Sequence, residues 1–189
     1  MAAFDHVVLL FSFVFGLALA HVLSRLGSLT LARKRVQFSL LQALMALNAI
    51  LSVFLNWLML FDMHSVKDWD ILTIAIWFAV ALSNFFICAA AAPDPVEDKA
   101  IDLEAFYRDQ YRLFYGIVLF SEALYVVANF DFVKVDSKLM LQTQLDTVPF
   151  FVPPVLAIAV PKHWAQWTAG LSLLALNIWW TLTFSSALK

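Results

Sequence analysis

The chain has one cysteine, four glycines and six prolines in 189 residues, and charge is scarce as well, with 12 Lys+Arg and 14 Asp+Glu. A lone Cys88 excludes an internal disulfide, and its apolar neighbours make it a small core residue rather than a reactive thiol. So little glycine and proline excludes collagen-like and low-complexity chains. Charged residues make up 14% of the chain, against roughly 25% in ordinary soluble domains, which excludes a soluble globule too. A net charge of −2 leaves no polybasic face for nucleic acid. No Gly-x-Ser-x-Gly, Walker A or His-Glu-x-x-His pattern occurs, so no nucleophile elbow, phosphate cradle or zincin site is written here. Of His6, His21, His64 and His163 only His21 lies within an apolar run, and bis-histidine haem needs two facing imidazoles. No cofactor is expected.

What is there is apolar: 63% of residues are hydrophobic and the mean hydropathy is +0.83, which makes the bilayer the natural solvent. Stretches of about 20 apolar residues run from Phe4 to Ser24, Ser39 to Phe61, Ile71 to Ala92, Leu113 to Phe130 and Trp164 to Ala187. A sixth, Leu139 to Val160, is long enough but carries Gln142, Gln144 and Asp146 in its first half and Pro149, Pro153 and Pro154 in its second. Prolines remove backbone donors and force a kink or break. The expectation is a single integral-membrane domain over residues 1–189, an all-α, polytopic transmembrane helical bundle of six spans; five spans plus a Pro-broken segment is the alternative. Ala18-Leu19-Ala20 has the small-x-small form of a leader cleavage site, but Met1 to His6 holds Asp5 and no Lys or Arg, so the first run reads as a span.

Alternate loops divide the cations unequally. Arg25, Arg33, Lys34, Arg35, Lys99, Arg108, Arg112 and Lys162 fall on one side, and Lys67, Lys134, Lys138 and Lys189 on the other. The positive-inside rule then places both termini outside a plasma or bacterial inner membrane. Between Pro93 and Arg112, Asp102 can cap a helix on which Phe106, Tyr107, Tyr111, Phe114 and Tyr115 recur. This predicts a short amphipathic helix lying at the cytoplasmic interface and running into the fourth span, its aromatics anchoring that span.

Polar residues inside spans point to function, because a charge at bilayer depth is costly and usually faces a bundle interior or a wet cavity. Glu122 is the foremost case. It lies in the row Val118, Glu122, Tyr125, Asn129, whose three- and four-residue spacing puts all on one helix face. The row Asn48, Ser52, Asn56 lies at similar depth on the second span, and Trp77, Ala81, Asn84, Cys88 on the third. Convergence of the three makes an ion or solute pathway of Glu122, Asn48, Ser52, Asn84, Tyr125 and Asn129; the Asn and Ser side chains also serve as ordinary interhelical hydrogen-bond partners. Secondary candidates are His21 and Arg25, four residues apart near one end of the first span, with Arg25 expected to snorkel to the interface. Beside them Gly16, Ala20 and Ser24 form a small-residue stripe that permits close helix packing. Asp62 and His64, with Asp5 and His6, offer mixed O and N ligands, but the spacing is unspecific and no metal is expected. Trp77, Trp179, Trp180 and Asn177 read as lipid contact and core packing.

Three functions are compatible with this pattern. The first is passage or sensing of a proton, ion or small solute around Glu122. The second is a non-enzymatic accessory or assembly subunit that binds another membrane protein or itself. The third is an intramembrane enzyme acting on lipid or a prenyl chain, for which no catalytic set is visible.

Overall fold

Ser39, Asp70 and Asp102 each start a helix by offering a side-chain oxygen to first-turn amides that have no intrahelical partner. Ser39 Oγ accepts from Gln42 N at 3.4 Å, Asp70 Oδ1 accepts from Thr73 N at 2.7 Å, and Asp102 Oδ1 accepts from Glu104 N and Ala105 N at 2.9 and 3.0 Å. In the computed structural model, residues 3–61, 70–94, 100–132 and 137–187 are described, with side chains over 6–61, 70–94, 100–129 and 145–183. The helices are α1 (Ala3–Leu31), α2 (Leu40–Met59), α3 (Ile71–Ala90), α4 (Leu103–Phe132), α5 (Ser137–Ala159) and α6 (His163–Ala187). Among the described residues the protein is all-helical apart from connections and two short strands, β1 (Val36–Gln37) and β2 (Ile101–Asp102), which pair in parallel.

Four helices, α1 to α4, are long and apolar enough to cross a membrane, which is compatible with an integral membrane protein. The apolar part of α5 is the shorter stretch Leu145–Ala159. On α6, His163, Gln166, Ser172, Asn177 and Thr181 dilute an otherwise apolar sequence. Neighbouring helices pack in the order α1, α3, α4, α5, α6, α2 and back to α1, and α2 also touches α3 and α4. This makes α2 the most surrounded element, so its Gln42, Asn48 and Asn56 are all buried. Large apolar side chains point outward on α1 at Leu9, Phe13 and Leu17 and on α5 at Leu145, Val148, Val152 and Val155. The three- and four-residue spacing on both helices is that of one outward stripe, the side that a lipid solvent accommodates.

Three expectations are corrected, while the helix expected after Asp102 does run into the fourth apolar stretch: α4 is one helix of 30 residues. Nothing between Asp102 and Asn129 stops it: Gly116 is the only glycine, there is no proline, and Tyr107, Phe114, Tyr115 and Val118 continue one buried stripe. For the same reason Tyr107, Phe114 and Tyr115 belong to the core rather than to an interfacial belt. The prolines do not break α5, which stays helical through Pro149, Pro153 and Pro154 while packed against α4 and α6. The stripe of Gly16, Ala20 and Ser24 faces outward; a Cβ built on Gly16 meets nothing within 4 Å, so no helix of this chain lies close against it.

Candidate functional site

Glu122 stands in the second half of α4, one turn before Tyr125 and two before Asn129. All three face a cavity of about 90 Å³. Ser52, Asn56 and Met59 line it from the last two turns of α2, Asp146, Thr147 and Phe150 from α5, and Asn177 and Trp180 from α6. A water-sized group needs roughly 10–15 Å³ of such space, so there is room for several. A smaller pocket of about 10 Å³ adjoins it, lined by Asn48, Ser52, Glu122 and Asn177 among others. Glu122 therefore borders both spaces.

Among the described residues, the carboxyl side chains of the wall have no cationic residue beside them. Glu122 and Asp146 both line the larger cavity, and among the described residues no Lys, Arg or His does. The ion pair found among the described residues, Arg25 with Asp94, lies elsewhere. Two further polar atoms in the wall are buried without a hydrogen-bond partner, Asn56 Oδ1 and Tyr125 Oη. Leaving such a group unpaired costs about 1–3 kcal/mol, so a wall with two of them beside two carboxylates is shaped for something that donates hydrogen bonds and carries positive charge.

The amides expected to converge do so, but in different roles. Asn84 is fully buried, accepts from Ser52 Oγ at 3.1 Å and from Asn56 Nδ2 at 3.3 Å, and donates to Val80 O at 3.0 Å. Asn48 donates to Leu44 O and Gly170 O at 3.0 and 3.1 Å and accepts from Asn177 Nδ2 at 3.2 Å. Both are occupied in tying α2 to α3 and α6, and neither lines the larger cavity. Ser52, Tyr125 and Asn129 do line it. Tyr125 is held by an edge-on contact with Trp77, ring centroids 5.7 Å apart.

His21 and Arg25 belong to a different construction. Arg25 does not snorkel outward: its Nη1 donates to Ala89 O and Ala92 O, each at 2.8 Å, and its Nη2 meets Asp94 Oδ2 at 2.7 Å. Gln42 Nε2 donates to Ala91 O at 2.7 Å. The last carbonyls of a helix lack intrahelical donors and carry the negative end of its dipole, and here α1 and α2 supply those donors to α3. The His21 ring packs on Phe85 at 5.4 Å, away from the Glu122 cavity.

Among the wall residues that sequence reasoning left out of the expected site are Asn56, Asp146 and Asn177. Asn56 shares the helix face of Asn48 and Ser52, and that periodicity was a sufficient signal. Asp146 falls in the first half of the sixth apolar stretch and is not joined to the Glu122 face, because the prolines after it obscure where the helix begins. Asn177 reads as packing among tryptophans, one of which, Trp180, also reaches the cavity while Trp179 stays about half exposed. No group of three or more His, Cys, Asp or Glu able to hold a metal exists among the described residues. Asp62 and His64 lie outside them, as do the side chain of Asp5 and most of the other outer acids. No protein-family model, curated protein or solved structure matches the chain, so function rests on these side chains.

Proposed function

We propose that the chain is a six-span membrane protein of a plasma or bacterial inner membrane, in which the cavity around Glu122 passes or senses a cationic species: a proton, an ion or a small solute. What carries this reading is the charge of the wall, two carboxylates with no cationic residue beside them among the described residues. An ionisable group on a membrane helix marks a pathway or binding site far more often than a packing contact. A cavity with room for water and several polar side chains converging on it is the kind of arrangement from which selectivity in small conduits is built. Asn48 and Asn84 act here as positioning residues, holding α2, α3 and α6 so that Ser52, Asn56 and Asn177 face Glu122.

The test is flux of protons, Na⁺ and K⁺ into proteoliposomes carrying the purified protein, against Glu122→Gln. Cation-dependent flux or proton uptake that Glu122→Gln abolishes is the expected result. Wild-type and variant protein that are equally inert, with the fold intact by circular dichroism, would overturn it. A second reading, an assembly subunit, draws on the outward-facing Gly16, Ala20 and Ser24, since small residues let another helix approach closely. A stoichiometric partner lost on Gly16→Leu would support that reading.

A further inference from the structure

Resting on the reading of the Glu122 cavity as a cation site, we infer that its ligand is a small organic ammonium ion, a primary amine in its charged form with a short apolar substituent. The walls of the cavity differ in chemistry. One part presents oxygen: the carboxylates of Glu122 and Asp146, and the buried, unpaired Asn56 Oδ1. The other part is aromatic: Tyr125, Phe150 and Trp180 line the same space, with Phe150 and Trp180 in edge-to-face contact at 6.2 Å.

A bare alkali ion needs oxygen all round it and gains nothing from the apolar part of the wall. A divalent ion has no ligand cluster here among the described residues. A proton uses the carboxylate but leaves a cavity of about 90 Å³ without purpose. A primary ammonium group answers each feature. Its three N–H bonds donate to the two carboxylates and to Asn56 Oδ1, its charge is attracted to aromatic ring faces, and its alkyl part fills the space beside Phe150 and Trp180. Asn56 is the discriminating residue. Its Nδ2 is already committed to Ser52 O at 2.8 Å and to Asn84 Oδ1, so its amide is fixed, and the atom left without a partner in this lining residue is Oδ1, which accepts and does not donate. Both Asn56 and Tyr125 are more than nine-tenths buried, so their unpaired atoms are not simply solvated at the surface.

The experiment uses the full chain in nanodiscs of neutral lipid at constant ionic strength, with n-propylammonium, tetramethylammonium, Na⁺ and K⁺ as probes. Binding is read by calorimetry and by the shift in thermal unfolding midpoint. Propylammonium is expected to bind at least about tenfold more tightly than Na⁺ or K⁺ and more tightly than tetramethylammonium, which has no N–H to donate. Glu122→Gln and Asn56→Leu should each weaken it about tenfold. Trp180→Leu, which leaves the oxygens in place, keeps the test open should a polar variant fail to fold, and should weaken propylammonium while leaving any Na⁺ response unchanged. A Glu122-dependent response to Na⁺, K⁺ or protons alone would overturn the ammonium assignment and leave the cation site standing. Absence of any Glu122-dependent response would overturn both.

Discussion

At the end of the molecule where α3 stops, many polar groups have a partner on another helix, although Arg25 Nε and His21 Nε2 are buried there without one. Arg25 and Gln42 take the last carbonyls of α3, Ser39 Oγ donates to Glu104 Oε2 at 2.6 Å, and Tyr107 Oη donates to Gln166 Oε1 at 2.9 Å. Gln166 Nε2 in turn donates to Ala157 O at 2.9 Å and Val160 O at 3.3 Å, closing the α5–α6 connection. The β1–β2 pair joins the α1–α2 and α3–α4 connections at this same end. Toward the other ends of α2, α4 and α6 the pattern reverses: Asn56 Oδ1 and Tyr125 Oη are buried without partners, beside two carboxylates that no cation of the wall compensates. The same residue types, amide and phenol, thus do opposite things within one set of helices. Where they are satisfied they fix geometry, and where they are not they define a site, because unpaired buried groups persist only where something else repays their cost.

The largest difference should come from Arg25. Arg25→Met keeps the length of the side chain but strips the donors from Ala89 O and Ala92 O, and hydrogen bonds to charged groups contribute about 1.5–3 kcal/mol each. Unfolding in detergent micelles, followed by circular dichroism, should show a loss of about 2–4 kcal/mol. Asp94→Asn should lose much less, since the Asp94 side chain is 72% exposed and exposed ion pairs contribute little. If the two variants unfold alike, the carbonyls of α3 are not what Arg25 secures and the contrast between the ends is lost.

How much of this was legible beforehand follows the range of the interactions. One helix start was a local signal that was read: Asp102 is expected as a cap and is one. The face carrying Glu122, Tyr125 and Asn129 was readable from spacing alone, and all three line one cavity. The rest is long-range. Arg25 finds its partners 64 to 69 positions away, and no periodicity announces that a cation near a helix end will turn inward. The aromatic run from Phe106 to Tyr115 has the same spacing whether it meets headgroups or a core. Only the closure of α3 against α4, and the bond from Tyr107 to Gln166 of α6, decides for the core. Asp146 was misplaced because its depth depends on whether Pro149, Pro153 and Pro154 interrupt the helix, and packing against α4 and α6 carries α5 through them.

The same chemical change made at both ends sharpens the comparison further. Tyr107→Phe removes one hydroxyl and leaves Gln166 Oε1 buried without its donor, which should destabilise the protein by about 1–3 kcal/mol. The loss should register in thermal unfolding and in faster hydrogen exchange over the first turns of α6.

Tyr125→Phe removes an identical hydroxyl that has no partner. The ring stays, and with it the edge-on contact to Trp77. Replacing an unsatisfied polar group by an apolar one of the same shape is close to neutral, so the unfolding midpoint should move by the equivalent of no more than about 0.5 kcal/mol in either direction. The effect should appear instead in the ligand response of the Glu122 cavity, whose wall loses one hydroxyl. A Tyr125→Phe protein destabilised as strongly as Tyr107→Phe would mean that the hydroxyl is tied into the packing after all, and the contrast between a locked end and a ligand-binding end would fall.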